Sequence, residues 1–83
     1  MIEVGLWVVG GLDLALSGRR TTIEFPDGAA VSDIPDRLLE AGIDAHSPKY
    51  LVVLNGLGWR QFPPQQKLKD GDVLLVIPPL MGG

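Results

Sequence analysis

Apolar and polar residues alternate over residues 2–9. Ile2, Val4, Leu6 and Val8 fall on one side; Glu3, Gly5, Trp7 and Val9 fall on the other. A period of two predicts a strand with one face on a core. Gly10-Gly11 ends it. Residues 12–20 show no clear period, and an extended hairpin turning at Ser17-Gly18 is one reading of them. Alternation resumes over 21–25, with Thr21, Ile23 and Phe25 inward and Thr22 and Glu24 outward, before a turn at Pro26-Asp27-Gly28.

One stretch carries a helical period. Ser32 is placed to cap it, Asp33 and Asp36 suit its positive N-terminal end, and Pro35 sits in the first turn, where its missing N–H is harmless. Ile34, Leu38 and Leu39, with Ala41 less firmly, form its apolar stripe, and Gly42 is a natural stop. After a loop over 43–48, residues 50–55 read as a strand and Asn55-Gly56 as a turn. Residues 59–62 read as a short edge strand closed by Pro63-Pro64. Lys69-Asp70-Gly71-Asp72 is a tight turn into Val73-Leu74-Leu75-Val76-Ile77, apolar on both faces and therefore expected at the centre of a sheet. A single helix cannot cover both faces of such a sheet. The second face, with Trp7 and Val9 nearby, is expected to leave apolar area open, either to loops or to a protein partner.

Composition narrows the classes. The chain has 83 residues, 46% of them apolar, enough for one small cored domain. It has no cysteine, so there is no disulfide, thiolate zinc site or cysteine nucleophile; its one histidine cannot make a multi-histidine metal site. A net charge of −3 argues against a nucleic-acid partner. No apolar run reaches the ~20 residues of a membrane span and no basic signal-peptide start is present, so the expectation is a soluble, cytoplasmic protein with no membrane association. Gly10-Gly11 lacks a following Gly-Lys-Ser/Thr and reads as a turn; His46 beside Ser47 has no third partner for a triad; Asp70 and Asp72 are too few for a calcium loop. Arg19-Arg20, Lys67 and Lys69 read as solvated charges or contacts to an acidic partner, and Trp7 and Trp59 as packing or interface anchors.

The last residues are chemically the most suggestive. Pro78 has no N–H for a ladder, and Pro79 keeps Pro78 out of the α region, so the strand ends at Ile77 and the chain leaves it stiff and extended. The six residues beyond Ile77 span at most about 20 Å. Leu80 and Met81 give this arm two apolar handles, and Gly82-Gly83 can enter a slot too narrow for any side chain. A terminal carboxyl, with a pKa of roughly 3.5, is ionised at neutral pH and can attack the α-phosphate of a nucleotide in a partner's site. The plainer alternative is a frayed tail.

Taken together, Phe25-Pro26-Asp27-Gly28 with Val31 ahead of the helix, Val52-Val53-Leu54-Asn55-Gly56, Leu68-Lys69-Asp70-Gly71-Asp72-Val73, Pro78-Pro79 and Gly82-Gly83 resemble one family over nearly the whole chain. That family is the ubiquitin-like sulfur carriers, which comprise the small subunit of molybdopterin synthase and the thiazole-synthesis carrier; the paired prolines resemble the molybdopterin branch more. The resemblance implies an α+β, β-grasp (ubiquitin-like) domain over 1–83. It would have a mixed four- to five-stranded sheet on one main helix, the first and last strands parallel at its centre, and a flexible tail over 78–83. It implies a carrier with no catalytic machinery of its own and no bound cofactor or metal. A ubiquitin-activating-type adenylyltransferase would use MgATP to adenylate the Gly83 carboxylate, and a sulfur donor would convert it to a thiocarboxylate. The tail would then enter the large subunit of molybdopterin synthase and give its sulfur to a pterin precursor. Gly83 would carry the chemistry, Gly82 provide clearance, and Pro78, Pro79, Leu80 and Met81 seat the arm, with Trp7 and Trp59 as further partner contacts. The segment 56–64 departs from the family pattern in being apolar and proline-rich, so a dedicated partner could read it; Met81 stands where that branch often has a smaller residue. Thiazole or cysteine synthesis, conjugation to lysines, and an inert β-grasp interaction module are the alternatives.

Overall fold

The computed structural model of the chain describes residues 1–79. Five strands form one mixed sheet: β1 (Ile2–Val8), β2 (Arg20–Phe25), β3 (Leu51–Leu54), β4 (Leu57–Gly58) and β5 (Val73–Ile77), in the spatial order β2-β1-β5-β3-β4. One helix, α1 (Ile34–Glu40), follows a single 3₁₀ turn at Val31–Asp33. β1 and β5 are parallel, and every other pair is antiparallel. The expected central position of the last strand is found, and its cause is visible in the burial: Leu74 and Val76 are wholly buried on one face, while Leu75 and Ile77 are half-buried on the other. A parallel pair needs a crossover, and here residues 9–72 supply it with the helix on one face.

The core lies between that face and the helix. Val4, Leu6 and Val8 of β1, Phe25 of β2, Leu54 of β3, and Leu74 and Val76 of β5 meet Val31, Ile34, Leu38 and Ile43 there. The period-two reading of β1 therefore holds residue by residue. In β2 only Ile23 and Phe25 are buried; Thr21, expected inward, is exposed. β2 is an edge strand, and the helix reaches it near its far end, where Arg37 Nε donates to the Glu24 carbonyl at 2.9 Å.

The helix corrects two further expectations. Asp33, not Ser32, organises its start: the Asp33 carboxylate accepts from the Ala30 N–H at 2.8 Å, while Ser32 is exposed and its N–H donates to the Pro64 carbonyl at 3.0 Å. Leu39 is 63% exposed and not part of the apolar stripe. Successive helical residues are turned by about 100°, so a two-turn helix that buries Ile34 and Leu38 must point Leu39 away. Gly42 adopts a left-handed φ of 82° and ends the helix as expected.

The turn at Asn55 (φ 49°) and Gly56 (φ 94°) joins β3 to β4. Because it consumes only two residues, the returning strand begins at once, pairing Leu54 with Leu57 and Val53 with Gly58. The edge strand is thus 57–58 and not 59–62; Trp59–Gln61 form a 3₁₀ turn instead. That turn lets the Trp59 ring pack against the core, with Nε1 donating to the Ala45 carbonyl at 3.4 Å. No helix among the described residues is long and apolar enough to cross a membrane.

Candidate functional site

The candidate site is built outward from β5. Its first rung is pinned by a polar network. The Val73 N–H donates to Asn55 Oδ1 at 2.9 Å, and Asn55 Nδ2 donates to Asp72 Oδ1 at 3.0 Å. Asp72 Oδ2 accepts from the Lys69 N–H at 2.8 Å, and Asp70 Oδ1 accepts from the Glu3 N–H at 2.7 Å. Both aspartates of the Lys69-Asp70-Gly71-Asp72 turn are therefore occupied by N–H donors, which ties the turn to β1 and β3 together. From there β5 runs between two neighbours, with Trp7 opposite Leu75 on one side and Val53 opposite Leu75 on the other. Its last rung is Ile77 opposite Leu51. The chain then leaves the sheet at Pro78, which is exposed, and Pro79, which is half-buried. Leu80, Met81, Gly82 and Gly83, the remaining residues assigned to the arm, lie outside the described residues.

The sheet face opposite the helix is open. Trp7, Leu51 and Val73 are each 40–43% exposed on it, beside half-buried Val53, Leu75 and Ile77. The guanidinium of Arg20 lies 3.7 Å from the centroid of the Trp7 ring, a cation–π contact that holds the indole against the sheet. The open apolar face expected around Trp7 is thus present, and β5 runs along its middle before ending in Pro78-Pro79.

Trp59 belongs elsewhere. It packs on the helix side, so the two tryptophans are not brought into one patch. Around it the structure assembles a group that sequence reasoning missed. Arg60 Nη2 sits 2.7 Å from His46 Nδ1, the His46 ring meets Trp59 edge-on with centroids 5.5 Å apart, and Arg60 lies 5.5 Å from the Trp59 centroid. His46 and Arg60 are fourteen residues apart, and the one available signal was the atypical composition of 56–64. Lys67 is engaged with the Gly28 carbonyl at 2.9 Å.

Mixed five-stranded sheet, single helix and parallel terminal strands define the ubiquitin-like β-grasp fold. Solved structures of the same architecture bear this out over nearly the whole length. A protein described as molybdopterin converting factor, subunit 1, from Pyrococcus furiosus matches with a TM-score of 0.69 at 23% identity, covering 96% of this chain and all of that one. SAMP1 from Haloferax volcanii matches with a TM-score of 0.65 at 23% identity, covering 98% and 99%. Urm1 from Trypanosoma brucei matches with a TM-score of 0.58 at 19% identity, covering 98% and 95%. No protein-family model matches the chain, and a search of curated proteins finds no relative.

Proposed function

We propose that this chain is a sulfur carrier whose reactive group is the carboxylate of Gly83, acting in molybdopterin synthesis. The observation that carries the reading is the placement of β5: a central strand, clamped on both sides, that runs directly into Pro78-Pro79 and the segment ending in Gly82-Gly83. A doubly paired central strand that ends in two prolines gives a rigid base, and a rigid base lowers the ordering cost of entering a partner's site. The structural likeness to a molybdopterin converting factor subunit supports the pathway.

In this reading the Gly83 carboxylate oxygen attacks the α-phosphorus of MgATP in an adenylyltransferase of the ubiquitin-activating type, and pyrophosphate leaves. A sulfur donor at the hydrosulfide level then attacks the acyl carbon, the acyl–oxygen bond breaks with AMP as the leaving group, and loss of the sulfur-bound proton leaves the thiocarboxylate; a persulfide donor would instead give an acyl disulfide, which a thiol reduces to the same product. The carrier supplies neither acid, base nor metal; it presents the group. The large subunit of a molybdopterin synthase receives the arm, with the open face around Trp7 as the broad contact.

Incubation with the activating enzyme, MgATP and a sulfur source should raise the intact mass by the difference between one sulfur and one oxygen. Deleting Gly83 or adding one residue after it should abolish the change. Thiolation of the shortened chain would place the chemistry elsewhere. Capture of a pterin-synthase subunit by the thiolated chain supports the pathway, whereas isopeptide-linked adducts would move the assignment to a protein modifier.

A further inference from the structure

We propose that the surface on both sides of Trp59 is a docking site for an acidic, apolar peptide segment of a partner protein. Two depressions flank the indole. One, of about 370 Å³, is lined by His46, Tyr50, Leu51, Trp59 and Arg60 among others. The second, of about 280 Å³, is lined by Val31, Pro35, Trp59, Arg60, Phe62 and Pro64. Trp59 and Arg60 are the walls they share.

Arg60 is the one permanently charged side chain lining either depression. Among the described residues the ion pairs are Met1 with Asp27 and Arg37 with Glu40, so no carboxylate of the described residues lies within ion-pair distance of Arg60. It is nonetheless held in place. A guanidinium has no acceptor, so in the 2.7 Å contact Arg60 Nη2 donates and His46 Nδ1 accepts. One of the five guanidinium N–H groups is used there, leaving the others for an incoming anion in fork geometry. A cation pre-positioned against an aromatic ring loses less side-chain freedom on binding than a free one.

The number of charges selects the anion. A phosphate or nucleic-acid backbone is bound by clusters of cations, and this chain carries −3 overall. One guanidinium in otherwise uncharged walls matches one carboxylate. The second depression, walled by Trp59, Phe62, Pro35, Pro64 and Val31, suits an aliphatic or prolyl side chain, as aromatic-lined grooves do for extended peptides. Because an extended chain advances about 3.3 Å per residue, the carboxylate and the aliphatic group belong within two or three residues of each other. Leu51 connects this surface to the base of the arm, since it lines the larger depression and is also the partner of Ile77. A protein holding the arm therefore has this surface beside it. The site explains why 56–64 is apolar and proline-rich, and it stands without any chemistry at Gly83.

The test is a titration of the ¹⁵N-labelled full chain with an acetylated, amidated hexapeptide Leu-Pro-Glu-Leu-Pro-Glu, alongside the same peptide with both Glu replaced by Gln. The Glu peptide should give saturable shifts at the Trp59 indole N–H and at the amides of Val31, Tyr50 and Arg60. The Gln peptide and the Arg60→Glu chain should each bind at least about tenfold more weakly, and Arg60→Lys should fall between. Arg60 is exposed, so the variants keep the fold, and the same spectra report it. The proposal is overturned by equal binding of the two peptides, by unchanged binding to Arg60→Glu, or by no saturable shift at millimolar peptide. It is equally overturned if shifts centre on Trp7, Val73 and Leu75. No activating enzyme or ATP is present, so failure here leaves the thiolation experiment unaffected, and the reverse also holds.

Discussion

Replacing Asn55 tests how β5 is held in register. Asn55 does three things: it adopts a left-handed φ of 49°, accepts from the Val73 N–H at 2.9 Å, and donates to Asp72 Oδ1 at 3.0 Å. Asn55→Gly keeps the turn and loses both side-chain bonds. At about 0.5–1 kcal/mol each for exposed bonds, the loss is roughly 1–2 kcal/mol. Asn55→Ala loses the same bonds and must also force a Cβ into the left-handed region, a further cost of about 1 kcal/mol. With about 5 °C per kcal/mol for a domain of this size, the midpoint should fall by roughly 5–10 °C for Gly and roughly 10–15 °C for Ala. Urea unfolding followed by tryptophan fluorescence should show the same order at constant m. Asn55→Asp keeps the acceptor but sets a second carboxylate against Asp72, and it should regain stability as acidification from neutral pH supplies a proton for the pair to share. Equal stabilities for Gly and Ala would refute the conformational term, and a Gly variant as stable as the parent would refute the hydrogen-bond term.

Other consequences can be checked with the same assays. Leu74→Ala, in the wholly buried middle of β5, should cost about 2–5 kcal/mol in urea unfolding. The neighbouring pair in the helix should behave oppositely: Leu39→Lys should change stability by less than about 0.5 kcal/mol, while Leu38→Lys should prevent folding as judged by amide dispersion. Asp33→Ala removes the acceptor for the Ala30 N–H and should cost about 1 kcal/mol. Arg20→Ala removes the cation over Trp7 and should cost about 0.5–1 kcal/mol of stability, a fall of roughly 2–5 °C in thermal midpoint, while increasing quenching of Trp7 fluorescence by acrylamide.

Much of this fold is written locally. The alternation of Ile2, Val4, Leu6 and Val8, the Asn55-Gly56 turn, and the two-faced apolar run 73–77 each announce an element whose position follows from its own residues. What escaped depends on geometry between elements. Leu39 looks like core by type, and only the shortness of the helix turns it outward. Thr21 has the right parity, but β2 is an edge strand that the helix covers only near Glu24. The strand expected at 59–62 was misplaced by two residues because a two-residue turn starts its partner strand immediately, at Leu57. The pairing of His46 with Arg60 had no local signature, since residues 43–48 carry no period and the loop is tied down from outside itself, by Tyr50, whose hydroxyl accepts from the Asp44 N–H at 2.7 Å. Of the arm assigned from the sequence, the described structure reaches as far as Pro79.

The adjacency of β1 and β5 has a consequence for how the molecule comes into being. These strands share the middle of the sheet, yet residues 9–72 separate them in the chain. During synthesis β1 can hairpin with β2 early, but its other edge stays vacant until residues 73–77 have emerged. The closing contact is also the one with the longest loop to close, so it should be the slow step of folding. A ribosomal product cut short before Val73 would lack its keystone and present an unpaired edge to chaperones and proteases.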